Sequence, residues 1–322
     1  MRRFLLSNES GDGDVIAEAA RILREGGLVA FPTETVYGLG ANALDENAVG
    51  RIYRAKNRPA TAPLIVHVAS AEHARQWAAE WPAQADALAA AFWPGPLTLV
   101  LPKSAAIPDC VTAGLPTVGL RVPSHPVARA LLEASGVPIA APSANLFMGV
   151  SPTDAAHVRA SLGDAADLIL EGGPSEVGLE STVLSLIYAK PAILRLGMIA
   201  RHRIEAVIGP LDGAGASDAG ESMAHPSPGM HPRHYSPRTP LLIAADEDPV
   251  PSGRVVRLWW KREPAEGQGI QLPSDAAGYA REFYRALHLA DECRSRYIVV
   301  EAPPKGEEWE AIWDRLRRAA SR

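Results

Sequence analysis

The 322 residues are 47% apolar and 21% charged, enough to bury ordinary soluble cores over a length that divides into about two domains. This composition excludes a disulfide mini-scaffold and a wholly disordered chain. The formal charge of −5, from 32 Lys+Arg against 37 Asp+Glu, has the wrong sign for a protein held on nucleic acid or anionic lipid by its overall field, so any anion site is local.

At the N-terminus the apolar run Phe4-Leu5-Leu6 is too short for a signal-peptide core, and no apolar stretch is long enough to cross a bilayer. A soluble, cytoplasmic chain with no membrane contact is expected. Val15, Ile16, Ala19, Ile22 and Leu23 recur at helical spacing and stop at Gly26-Gly27, which predicts a helix followed at once by a strand from Leu28 to Phe31. The segment Phe31 to Gly40 then reads as a strand end and a turn displaying Thr33, Glu34, Thr35 and Tyr37, with two glycines for a tight turn. It lacks the closing Gly-Lys-Ser/Thr of a Walker A loop, and an ordinary polar connection fits equally well.

In the next helical stretch Arg51, Arg54 and Arg58 are spaced along one side, with Lys56 and Arg58 at its end before Pro59. A solvated charged face is one reading. The other is a polyphosphate site, because a strand from Pro63 to Val68, ending near His67, follows immediately and cations then converge at element ends. Further strands are predicted at 97–101, 118–122, 168–170 and 182–186, alternating with helical stretches such as 126–134, the pattern of an α/β layer architecture. Arg121, at a strand end, is placed for a bidentate grip on a carboxylate. The strand entering Ser143-x-Asn145 leads to a helix start with Ser151 as N-cap, Pro152 at the first helical position and Asp154 as the capping-box acid. Hydroxyl, amide and helix N-terminus together favour an anion or a ribose-phosphate, although a Ser-x-Asn turn alone means little.

From about Leu211 to Thr239 the chain turns to Gly, Ala, Ser, His and Pro, a linker that is flexible and then stiffer. His231 and His234 are three apart there, but the Pro-broken segment gives them no helical facing. Beyond it, strands are predicted at 241–244, 255–260 and 297–301, with helices near 279–290 and 307–320, a smaller α/β domain. A covalent catalyst is not evident: Cys110 and Cys293 have no adjacent His or CxxC partner, no Ser sits in a nucleophile elbow, and no HExxH marks a resident metal.

Several ordered motifs combine: FPTETVYGLGA (31–41), Lys56-x-Arg58, RPxxxPLIVHV (58–68), PIAAPSAN (138–145), SPTxAxHV (151–158), GLESTV (178–183) and SPGMHPRHYSP (227–237). In these, from about Gly26 onward, the sequence resembles the YrdC-like threonylcarbamoyl-AMP synthases in their long form. The resemblance implies a twisted open-sheet α/β catalytic domain over 1–210, a Gly/Pro-rich linker at 211–239, and a small Rossmann-like α/β domain over 240–322. It implies condensation of L-threonine, bicarbonate or CO2, and ATP to threonylcarbamoyl-AMP and pyrophosphate, with Mg2+ arriving on ATP. The product then passes to a separate ligase that modifies tRNA, so direct tRNA binding here is expected to be weak.

Residue by residue, the resemblance implies that Thr35, His67, Arg121 and Ser181 hold threonine, with Arg121 on its carboxylate. It implies that Lys56, Arg58, Thr117, Ser143, Asn145, Ser151, Arg195 and Tyr235 hold ATP, with Lys56 and Arg58 catalytic. The linker's length, its Gly/Pro punctuation and the family's use of its Tyr make it a candidate lid. Ala62, Met148, Ser185, Leu196 and Met198 depart from the family's usual residues. Two rivals stand beside this reading. One is a carbamoyl-adenylate-forming enzyme of the same fold, which is expected to carry further domains. The other is a non-catalytic double-stranded RNA-binding module using basic stretches such as Arg315-Leu-Arg-Arg318.

Overall fold

The structure, a computed structural model, describes residues 2–5, 12–212, 234–244, 253–261, 263–264 and 268–321. Its first part runs β1 (Arg2–Leu5), α1 (Asp12–Arg24), β2 (Val29–Phe31), β3 (Gly38–Asn42), α2 (Glu46–Lys56), β4 (Ile65–His67), α3 (Ala71–Arg75), α4 (Ala83–Phe92) and β5 (Leu97–Pro102). It continues α5 (Asp109–Thr112), β6 (Thr117–Arg121), α6 (Pro126–Ser135), β7 (Ile139–Ala140), α7 (Ala155–Leu162), β8 (Leu168–Glu171), β9 (Thr182–Ser185), β10 (Ala192–Arg195) and α8 (Arg201–Ile208). The second part holds β11 (Leu241–Ala244), β12 (Val255–Trp259), β13 (Gln268–Gln271), α9 (Ala276–Glu292), β14 (Tyr297–Glu301) and α10 (Glu310–Ala320).

Among the described residues the first ten strands form one open, mixed sheet in the order β1-β8-β2-β3-β7-β4-β6-β5-β9-β10. The last four form a separate, all-parallel sheet in the order β11-β14-β12-β13, and parallel strands of this kind need helices on their faces. The amphipathic stripe of α1, Ile16, Ala19, Ala20 and Leu23, packs with Ala128, Leu131 and Leu132 of α6 over one part of the large sheet. A second cluster built around Leu39, Val49, Ile52, Val66, Leu99 and Leu120 fills the other side and includes Ile204 of α8. The third cluster belongs to the small domain, yet Val36, Val150, Leu179 and Tyr235 share it. The apolar contact between the two parts is therefore continuous.

Three local expectations are corrected. Gly38 and Gly40 lie in β3 rather than in a tight turn, and the reason for glycine is packing: a Cβ on Gly40 would come 2.7 Å from Ile139 and 2.8 Å from Phe31. The helix after the Ser-x-Asn turn begins at Ala155 with Asp154 as its N-cap, accepting the His157 N–H at 2.8 Å. Ser151 is drawn away from that role because its hydroxyl donates to Glu180 at 2.6 Å. Arg51 does not join the cations at the end of α2, since it is tied to Asp167 at 2.7 Å and to the Gly26 carbonyl at 2.8 Å. β13, a strand of alternating Gln and small or apolar residues, was not foreseen. Most of the linker, 213–233, and with it the bulk of the expected lid and His231, lies outside the described residues; His234, Tyr235 and Ser236 lie within them.

Candidate active site

Strand ends and loops meet on a cavity lined by Thr33, Thr35, Val36, Gly38, Arg58, Ile65, His67, Arg121, Ala141, Pro142, Ser143, Glu180, Ser181, Arg195, His234 and Tyr235. The register explains much of this set. His67 ends β4 opposite Arg121 at the end of β6 as direct parallel partners, so both side chains leave the sheet on the same face. Arg58 enters because α2 stops at Asn57, whose left-handed φ of 50° turns the chain. Its guanidinium is fixed by the carbonyls of Ala62 at 3.1 Å and Pro63 at 2.8 Å. The Ala62 contact is through backbone, so the missing side-chain amide at that position leaves it intact.

Arg195, at the end of β10, donates to the Ser181 carbonyl at 3.1 and 3.0 Å and to its hydroxyl at 3.0 Å. Arg121 is paired with the buried Glu34 carboxylate at 2.6 Å, and Glu34 also accepts the Ser124 N–H at 3.1 Å. Burial, with the neighbouring Arg195 acting the same way, pulls the Arg58 guanidinium down to about 10. Burial lowers Arg195 as well. His67 is pushed down to about 3 by burial and by Arg121, so it is neutral, and among the described residues its Nδ1 has no hydrogen-bond partner. Four buried guanidiniums, Arg58, Arg121, Arg195 and Arg315, thus face or back the cavity against two buried carboxylates, Glu34 and Glu180. The excess is positive and suits a polyanion.

The family model described as "Telomere recombination" matches residues 21–197, and the one described as "Threonylcarbamoyl-AMP synthase, C-terminal domain" matches 199–321. The chain belongs to the long-form threonylcarbamoyl-AMP synthase family. It is accordingly an enzyme of the nucleotidyltransferase type that makes threonylcarbamoyl-AMP. The threonylcarbamoyl-AMP synthase of Bacillus subtilis is 44% identical over 95% of this chain and 92% of its own length. That of Pyrococcus abyssi is 42% identical over 94% of this chain and 93% of its own. The crystal structure of the Pyrococcus abyssi Sua5 protein complexed with L-threonine superposes with a TM-score of 0.90 at 38% identity, covering 99% of this chain and 96% of that one.

Eight of the residues singled out for this synthase by resemblance line the cavity: Thr35, Arg58, His67, Arg121, Ser143, Ser181, Arg195 and Tyr235. Four do not. Lys56 sits behind it, its ammonium donating to the carbonyls of Ser143, at 2.6 Å, and Asn145. Asn145 is itself buried, donating to the carbonyls of Leu146 and Gly149 with its side-chain oxygen unpartnered. Ser151 reaches the cavity only through Glu180. Thr117 lines a small neighbouring slot that shares Ile65 with the main cavity.

Glu180 and His234 also line the cavity without having been singled out for it. GLESTV carries Glu180 in plain view, but its role depends on partners far away in sequence. His234 stacks edge-on against Tyr235 at 4.1 Å and stands 5.8 Å from Phe147; its neighbourhood in the His-Tyr dipeptide was the available signal. The basic stretch considered for RNA is not free: Arg315 is fully buried, Arg317 lies over Trp313 at 5.2 Å, and Arg318 is paired with Asp314 at 2.9 Å.

Proposed function

We propose that the cavity binds ATP and L-threonine together and joins them through bicarbonate or CO2, releasing pyrophosphate. The observation that carries this reading is the convergence of Arg58, Arg121 and Arg195 on one cavity beside a neutral His67 and several hydroxyls. Arg121 takes the threonine carboxylate, its plane fixed by Glu34. Neutral His67 and Thr35 take the threonine hydroxyl and amine end, and Ser181 lies between Arg195 and Thr98, to which it is hydrogen-bonded at 2.7 Å. Arg58 and Arg195 take the phosphates, with Tyr235 beside them. Thr117, beside the neighbouring slot, is assigned to the nucleoside end of ATP.

The threonine amine adds to CO2, loses a proton and becomes a carbamate. A carbamate oxygen then forms a bond to the α-phosphorus of ATP while the bond to the bridging oxygen of the β-phosphate breaks, and pyrophosphate leaves with that electron pair. No protein nucleophile is required. The chain holds two anionic reactants in one orientation and neutralises charge that grows on the phosphates. Among the described residues none fits a resident Mg2+, because Glu180, which lines the cavity, is taken by Arg315, and Glu34 behind it by Arg121. The Mg2+ expected in the reaction therefore belongs to the ATP substrate, bound through phosphates and water. The free thiols of Cys110 and Cys293 fit work in a reducing cytoplasm, where the product passes to a separate tRNA-modifying ligase.

Pyrophosphate release from ATP, with threonine and bicarbonate each omitted in turn, tests the reading. Release is expected to need both, and release without threonine would instead support carbamoyl-adenylate chemistry. Arg58→Ala is expected to lower turnover by about 10²–10³, the usual loss when one transition-state donor is removed; wild-type turnover in that variant would remove Arg58 from the site.

A further inference from the structure

One wall of the cavity is completed from the small domain. The Glu180 carboxylate accepts the Ser151 hydroxyl at 2.6 Å, the Tyr284 hydroxyl at 3.0 Å and Arg315 Nε at 2.8 Å. Tyr284 lies on α9 and Arg315 on α10. Arg315 has no exposed surface. Besides Glu180 it holds the Leu196 carbonyl at 2.7 Å, one residue after Arg195, and the carboxylate of its neighbour Asp314. Its guanidinium carbon lies 5.0 Å from the centre of the Tyr235 ring. A single side chain thus touches a cavity carboxylate, the backbone next to a cavity arginine, and the ring of a cavity tyrosine.

Packing does not account for an arginine there. α10 is already anchored in its own domain by Ile312, Leu316 and Ala319, and burying a guanidinium costs more than burying an apolar side chain of similar volume. What only a cation supplies is charge directed at Glu180. Burial alone would drive the Glu180 proton affinity up, yet Arg315, Arg195 and the Ser151 hydroxyl hold the carboxyl below its ordinary range, so it is ionised. Without Arg315 an uncompensated carboxylate would face the phosphates, and Tyr235 would lose the cation behind its ring.

We propose that Arg315 is a positioning residue of the synthase reaction: from the small domain it neutralises Glu180 and backs Tyr235, so that the cavity wall accepts a polyphosphate. The inference rests on the reading of this cavity as the ATP site. It also gives the small domain a direct part in ATP binding.

The test uses full-length chains carrying Arg315→Met, Arg315→Met with Glu180→Gln, and Arg58→Ala, each followed by thermal melting, kcat, and KM for ATP. Arg315→Met is expected to raise KM for ATP by about tenfold or more, the scale on which one partner of a buried charge pair is missed. The double variant, in which the orphaned charge is also gone although the cation behind Tyr235 is not restored, is expected to show a KM for ATP at least about threefold below that of Arg315→Met, a recovery that a purely structural arginine would not give. If Arg315→Met does not fold, the double variant decides: a folded chain with a KM for ATP raised less than about tenfold supports the proposal, and one raised tenfold or more overturns it. An unchanged KM in a folded Arg315→Met overturns it as well. Loss of activity in Arg58→Ala alongside that result leaves the site reading standing, whereas full activity in Arg58→Ala removes the site reading itself.

Discussion

Lys56 acts from behind the cavity. Its buried ammonium ties the carbonyls of Ser143 and Asn145, the two named residues of the Ser-x-Asn turn, while burial and then Arg58 hold its proton affinity well below the ordinary lysine value. Lysine and arginine two residues apart read naturally as a phosphate-gripping pair. They part because Asn57 takes up a left-handed conformation between them, which sends Arg58 to the cavity and leaves Lys56 on the inner side of the helix. Asn is the non-glycine residue that most readily takes that conformation, but nothing in the sequence says which of the two cations the turn would leave behind the cavity. Lys56→Met leaves two carbonyls unpaired, the buried one of Asn145 and the partly buried one of Ser143, at about 1–3 kcal/mol for the buried one. It is expected to lower the melting temperature and, because Ser143 lines the cavity, to cut turnover by about 10² through misplacement alone. A variant that melts and turns over as wild type would show that the turn does not depend on the lysine. Arg121 teaches the complementary lesson. Its strand position was readable from pattern, but its pairing with Glu34 was not, since the two are brought together only by sheet order.

At the scale of elements, apolar runs located most strands of the large sheet to within a residue or two, because buried strands are continuous apolar segments bounded by turn residues. The failures came where side chains serve tertiary partners. Ser151 and Pro152 looked like a helix start, but the Pro152 carbonyl is engaged by the Tyr37 N–H at 2.8 Å and the Ser151 hydroxyl by Glu180, so helix α7 begins later. The edge strand β13 lacks an apolar alternation strong enough to mark it. Gly178 shows how an element contact can hide in one small residue. It has a φ of +75°, and a Cβ there would lie 2.5 Å from the Arg281 Cα and 2.6 Å from the carbonyl oxygens of Ala280 and Arg281, all backbone of α9. Gly178→Ala must push α9 away, and with it Tyr284 from Glu180. The expected loss is roughly 2 kcal/mol or more from the left-handed backbone and the overlap together. Chemical denaturation should register it, with a raised KM for ATP beside it; an unchanged midpoint would mean the two domains slide freely at this contact.

Across the whole molecule, a net charge of −5 coexists with a cavity whose buried groups sum to an excess of positive charge. The overall composition thus spoke to nucleic acid but was silent about the anion site. The joint between the domains has its own electrostatics. His157 of α7 and His288 of α9 stack at 3.8 Å with their planes 14° apart, and His288 touches the Ser151 carbonyl at 3.1 Å. Burial, and then the facing His288, pushes His157 down to about 4, and burial lowers His288 too. Asp154 opposes these shifts without reversing them, and His67 in the cavity stands at about 3. Each histidine is neutral when folded and binds a proton near 6.5 when unfolded. The unfolded chain therefore takes up more protons than the folded one between 6.5 and the folded values, and stability must fall as pH falls through that window. Each such histidine contributes a slope of about 1.4 kcal/mol per pH unit there. Below the ordinary carboxylate value Glu180, held low in the folded state, adds loss of the same sign. The melting temperature is thus expected to hold above pH 6.5 and to drop steadily toward pH 4. His288→Phe keeps a ring in the stack but removes one titrating partner, so its melting curve should decline less steeply over the same range. A wild-type melting temperature that stays flat from pH 6.5 to 4.5 would mean that these rings are protonated, or exposed, in the folded protein. The same joint seats Tyr284 and Arg315 on Glu180, so ATP binding is expected to weaken in parallel with the melting temperature.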